Sequence, residues 1–164
     1  MTNTIKQILG EAIPGTEDQD ATADEFLTRA PHPPGTIDHG NGITQVFDRD
    51  GNERWYSNGL LHRDNDLPAV IWGDGTMEWY RNGLHHRDDD LPAIVYNDGT
   101  QLWYRNGLHH RDGDKPATVC GDGRQYWYQN GRRHRDGGKP AYIGSDGREE
   151  HRLNDKRVKK TTKP

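Results

Sequence analysis

Apolar residues in this chain come in short bursts separated by turn residues. Ala69 to Trp72 leads into Gly73-Asp74-Gly75, Thr76 to Arg81 follows, and Asn82-Gly83 closes the stretch. Runs this short, rich in β-branched and aromatic residues, predict β-hairpins. Asp-Gly and Asn-Gly supply the positive φ that tight hairpin turns require. A three-residue loop at Gly73-Asp74-Gly75, with Gly75 left-handed, sets Ile71 opposite Met77 and Ala69 opposite Trp79. One side of the sheet then holds Ala69, Ala93, Ala117 and Ala141, the β-branched Ile71, Val95, Val119 and Ile143, and Trp79 with its equivalents. The other side holds the column Val70, Ile94, Thr118 and Tyr142, together with Trp72, Tyr96, Cys120 and Gly144, and Arg54, Glu78, Leu102 and Tyr126. A slip of one residue would exchange the two sides.

The bursts recur with a fixed period. Trp-Tyr occurs at 55–56, 79–80, 103–104 and 127–128, a step of 24 residues each time. Asn-Gly, His-Arg-Asp, Pro-Ala and Asp-Gly recur at the same step. Such internal repetition marks a stacked array in which each unit buries its apolar face against its neighbours. The expected fold is all-β: an elongated, single-layer β-hairpin solenoid of about four to five 24-residue repeats. At about 4.8 Å per strand it would run on the order of 40–50 Å. The ends decay: Ile43 to Phe47 lacks Pro-Ala, and His151-Arg152 stands where Trp-Tyr is due. Degenerate ends read as caps, which favours a monomer or weak oligomer. The expected organisation is an acidic leader over 1–42, short helix then disordered or extended; the array over 43–155; and a basic tail over 156–164.

Composition narrows the picture. The chain has 164 residues, of which 29% are hydrophobic, with 20 Gly, and a mean hydropathy of −1.19. This composition argues against a thick packed core, but five Trp and seven Tyr suit a thin sheet. A net charge of −4 provides no bulk polycation. The single cysteine, Cys120, rules out an internal disulfide framework and suits a reducing, cytoplasmic compartment. No apolar run has signal-peptide or membrane-spanning length.

Trp79, Asn82-Gly83, His86, Ala93 to Tyr96 and Asp98-Gly99 together resemble the membrane occupation and recognition nexus (MORN) repeat. The likeness is to the bacterial and phage variant, with WYxNGxxHRDxxxPAxxxxDG as the unit, and covers about residues 43–155. His-Arg-Asp and Pro-Ala depart from the eukaryotic pattern, which has Gly-x-Gly there. The resemblance implies a non-catalytic repeat used for protein contacts, sometimes proposed for lipid contacts. It also implies a setting near toxin–antitoxin or defence systems, where the protein would act as an inhibitor in the bacterial or host cytoplasm. Function still depends on sites carried by the fold.

His86-Arg87-Asp88 has the letters of a kinase catalytic loop, but no Gly-rich phosphate loop, strand lysine, downstream Asn or Asp-Phe-Gly accompanies it. Its fourfold recurrence predicts a scaffold ladder of His62, His86, His110 and His134 beside Trp55, Trp79, Trp103 and Trp127. No catalytic residue is assigned. No metal is expected either: His85 and His86 are adjacent on a strand and face opposite ways, and equivalent His in neighbouring units would lie about 10 Å apart. No cofactor is expected. The rival reading is polyanion binding, to single-stranded nucleic acid or anionic phospholipid, through Arg81, Arg105 and the Arg63, Arg87, Arg111, Arg135 row. Asp beside each of these arginines opposes it.

The favoured expectation is a protein-binding module of unknown partner. The recognition surface would be Val70, Trp72, Glu78, Ile94, Tyr96, Leu102, Thr118, Tyr126 and Tyr142, because interface anchors favour Trp, Tyr and Arg. A second contact would come from Ile5, Ile8, Leu9, Phe26 and Leu27, either as a docking peptide that folds on binding or as a mobile cover for the first repeat.

Overall fold

A computed structural model of the protein describes residues 33–159. Among these the chain is all-β, built from antiparallel hairpins with no helix. The leader residues Ile5, Ile8, Leu9, Phe26 and Leu27 lie outside the described residues, as do residues 160–164 of the tail.

The sheet opens with β1 (Gly35–Gly40), β2 (Ile43–Phe47), β3 (Glu53–Ser57) and β4 (Leu60–Leu61). Each unit then contributes two short hairpins. In the first of these units β5 (Val70–Ile71) and β6 (Met77–Glu78) flank the Asp-Gly turn, while β7 (Tyr80–Arg81) and β8 (Leu84–His85) flank the Asn-Gly turn. The Asp-Gly hairpins join β1 to β4 in one 12-stranded sheet, and three of the Asn-Gly hairpins and the final Asn-Asp hairpin form separate two-stranded sheets. Sheet order follows chain order, so each unit lies against its sequence neighbours.

Two array boundaries shift. β1 belongs to the sheet although the sequence placed it in the leader, and the final hairpin reaches Lys156–Arg157, inside the segment assigned to the basic tail. β1 leaves little signal in the sequence because GTIDHG carries a single large apolar residue, Ile37, which is 43% exposed.

The Asp-Gly turn has the expected form. Gly75 N–H donates to Trp72 O and Trp72 N–H to Thr76 O, both at 2.9 Å, with Gly75 at φ +87°. Ile71 therefore pairs with Met77. One continuous row runs Glu53, Ile71, Met77, Val95, Gln101, Val119, Gln125, Ile143, Glu149. The adjacent row, on the opposite face, runs Arg54, Val70, Glu78, Ile94, Leu102, Thr118, Tyr126, Tyr142, Glu150. Asn58, Asn82, Asn106 and Asn130 all sit near φ +50° before a left-handed Gly, giving two-residue turns that fold the Asn-Gly hairpins back.

The core is thin. Ala69, Ala93, Ala117 and Ala141 are fully buried, flanked by Met77, Val95, Trp79, Trp103 and Trp127.

Candidate functional site

The two faces of the array are built differently, and the His-Arg-Asp side is consumed by the scaffold. The Nδ1 atoms of His62, His86, His110 and His134 accept the backbone N–H of Asn82, Asn106, Asn130 and Asn154, each in the next unit, at 3.1 to 3.2 Å. That contact leaves the proton on Nε2, which donates to the Asp of its own triplet, as His86 does to Asp88 at 2.9 Å. Arg63, Arg87, Arg111 and Arg135 lie over Trp55, Trp79, Trp103 and Trp127, 3.7 to 4.1 Å from the ring centroids. The last three reach back one unit to Asp66, Asp90 and Asp114 through Nε and Nη2. The Trp79, Trp103 and Trp127 indole N–H groups donate to the backbone carbonyls of the same aspartates at 2.8 to 3.0 Å.

These aspartates occupy a second turn. Asn65-Asp66 and Asp89-Asp90 both have positive φ, and Leu91 N–H closes the latter turn on Asp88 O at 3.1 Å. The sequence signal for this turn is a recurring pair of Asn, Asp or Gly after each triplet. Arg111 and then Lys115 hold the Asp90 carboxyl down at about 2, and Arg135 and then Lys139 do the same for Asp114. Arg81 pairs with Asp88, and Arg105 with Asp112. The arginines named for polyanion binding are thus already neutralised or stacked inside the chain.

The opposite face corrects part of the expected recognition surface. Val70, Ile94 and Thr118 are 2%, 5% and 8% exposed and are not available for contact. A layer from the Asn-Gly hairpins meets this row at Glu78 and Thr118. Tyr80, His85, Tyr104, His109 and Tyr128 stack in one run with successive ring centroids 4.1 to 5.1 Å apart. His109 Nε2 meets Thr118 Oγ1 at 2.9 Å and Ala117 O at 3.0 Å. The two-residue turn pairs Tyr80 with His85, so the Tyr-to-His spacing of five carries this stack in the sequence. Burial keeps His109 below the ordinary histidine range.

The remaining predicted residues stay accessible. Trp72, Leu102, Tyr126 and Tyr142 are half-buried, and Tyr96 is 39% exposed. Tyr126 and Tyr142 form a tilted pair at 4.8 Å. Glu78 is present but engaged: Trp72 Nε1, Tyr80 OH and His85 Nε2 all donate to it at 2.7 to 2.8 Å. Burial alone would raise its pKa, but those three donors outweigh it and hold the carboxylate low.

Burial pushes the Cys120 thiol up, the reverse of an activated nucleophile. Among the described residues no cluster of His, Cys, Asp or Glu is arranged to hold a metal ion, and no helix is long and apolar enough to cross a membrane. No protein-family model matches the chain, and no curated protein matches it.

Proposed function

We propose that this protein is a non-catalytic module that binds another protein through the aromatic face around Trp72, Tyr96, Leu102, Tyr126 and Tyr142. One observation carries the reading: the His-Arg-Asp side spends its polar groups on inter-unit bonds, while this face keeps aromatic surface open to solvent. Rigid aromatic side chains on a sheet provide large contact area at low entropic cost. Its most specific form, resting on the MORN-like repeat, is an inhibitor that acts by occupying a bacterial target.

The test is capture of partners from the native host by wild type and by Tyr126→Ala/Tyr142→Ala. The double variant should lose a partner that wild type retains, with an unchanged circular dichroism spectrum. Equal capture by a folded double variant would overturn the reading. Binding to RNA or anionic vesicles that falls steeply with salt would favour the polyanion alternative.

A further inference from the structure

We propose that the cleft between Trp72 and Tyr96 receives an arginine side chain from the protein partner, an inference that rests on the protein-binding reading above. The cleft, about 510 Å³, is lined by Trp72 and Tyr96 together with Asp50, Asp74 and Glu78, and no basic residue among the described residues lines it. Arg54 lies near, 5.1 Å from the Trp72 ring, but its guanidinium is ion-paired with Asp48 at 2.8 Å and does not line the cleft.

The chain itself offers a precedent for the carboxylate half of such a slot, in units where Cys120 and Gly144 stand in place of the aromatic walls. The residue after each Asp-Gly is Asn52, Thr76, Thr100, Arg124 and Arg148 in turn. In the later units Arg124 Nε donates to Asp122 at 2.7 Å, and Arg148 pairs with Asp146 at 3.5 Å. In the early units the slot holds a neutral side chain. Among the described residues Asp74 then accepts only the Thr76 N–H at 2.8 Å, and the Asp50 carboxylate has no partner. A guanidinium from outside would meet two carboxylates and an aromatic wall, the pair of contacts that Arg87 makes with Asp66 and Trp79 on the opposite face. Arginine is the better match than lysine because its planar fork bonds a carboxylate with two donors and stacks on a ring at once.

The probe is the capped peptide acetyl-Gly-Arg-Gly-amide, titrated into the full chain with backbone amide NMR. Its controls replace Arg by citrulline or lysine. The expected result is weak, saturable shifting of the Gly73, Asp74, Thr76 and Tyr96 amides by the arginine peptide, with the citrulline peptide inert and lysine weaker. Asp50→Asn/Asp74→Asn, with its spectrum otherwise intact, should weaken the arginine response about tenfold or more. No saturable shift, an equal response to citrulline or lysine, or full binding by the double variant would overturn the inference. If it fails while Tyr126→Ala/Tyr142→Ala still loses its partner, protein binding stands without the arginine; if both fail, both readings fall.

Discussion

Arg111 grips Asp90 across one repeat, with Nε and Nη2 at 2.7 and 2.9 Å from the two carboxylate oxygens. The same guanidinium lies 3.7 Å above Trp103 and donates to Pro116 O at 3.3 Å. One side chain therefore joins two units, covers a buried ring and satisfies a loop carbonyl. Arg111→Ala should cost about 2–3 kcal/mol in urea unfolding, combining a charged hydrogen-bonded pair with ring cover. Arg111→Lys keeps the charge but loses the fork and should recover less than half of that loss. Equal stability of Arg111→Lys and wild type would show that charge alone matters at this joint.

Acid should weaken the array in two steps. Burial depresses the pKa of His109, so its folded form favours the neutral ring. A histidine depressed by folding contributes stability that is complete above its unfolded value of about 6.5 and declines as pH falls below it. Asp90 and Asp114, held at about 2 by Arg111 and Arg135, contribute stability that is complete above the unfolded carboxyl value and is lost as pH falls toward 2. Thermal melts from pH 8 to pH 2 should show both declines. His109→Gln should erase the upper one and leave the lower one; persistence of the upper decline in that variant would assign it to another group.

The hairpins and the register were legible because Asp-Gly and Asn-Gly fix loop length, and loop length fixes which residues face each other. Ile71 opposite Met77 follows from Gly75 alone. What was not legible is which side chains end up covered. Val70, Ile94 and Thr118 vary between units, yet variation does not imply exposure: all three are buried, and Thr118 lies against His109 of the Tyr80-to-Tyr128 stack, which exists only after the Asn-Gly hairpins fold back. The Asp90 role was hidden inside what reads as a plain acidic run, Asp88 to Asp90. The pattern does carry it: Asp66, Asp90 and Asp114 each meet an Arg 21 residues later, whereas Gly138 occupies the slot where the next unit offers Lys159 instead.

That burial makes the two kinds of variable-row residue separable by mutation. Ile94 is 5% exposed, and Ile94→Ala should cost about 2–4 kcal/mol as a core truncation. Tyr142, at the half-buried end of the same row, should lose about 1 kcal/mol or less on change to Ala, in line with substitutions outside the core. Urea unfolding of both variants checks this. A larger loss at Tyr142 than at Ile94 would mean that the tyrosine pair with Tyr126 supports the fold and does not stand ready for a partner.

The last Trp slot is filled by His151, and its environment differs from that of the tryptophans before it. His151 is 7% exposed, and neither ring nitrogen makes a hydrogen bond among the described residues, Nε2 having only the Glu149 carboxylate at 3.8 Å. In the three preceding units the indole N–H reaches the carbonyl of the residue 13 positions earlier. The corresponding residue for position 151 is Gly138. His151→Trp should restore that bond, add buried ring area and remove two buried nitrogens that make no hydrogen bond, raising stability by about 1–2 kcal/mol. His151→Phe supplies a ring without a donor and should gain less, so the difference between the two variants isolates the hydrogen bond. Differential scanning calorimetry of the three proteins checks the order Trp above Phe above His. If Trp lowers the melting temperature, the terminal slot has narrowed to fit histidine, and His151 belongs to the cap as a shaped element in its own right.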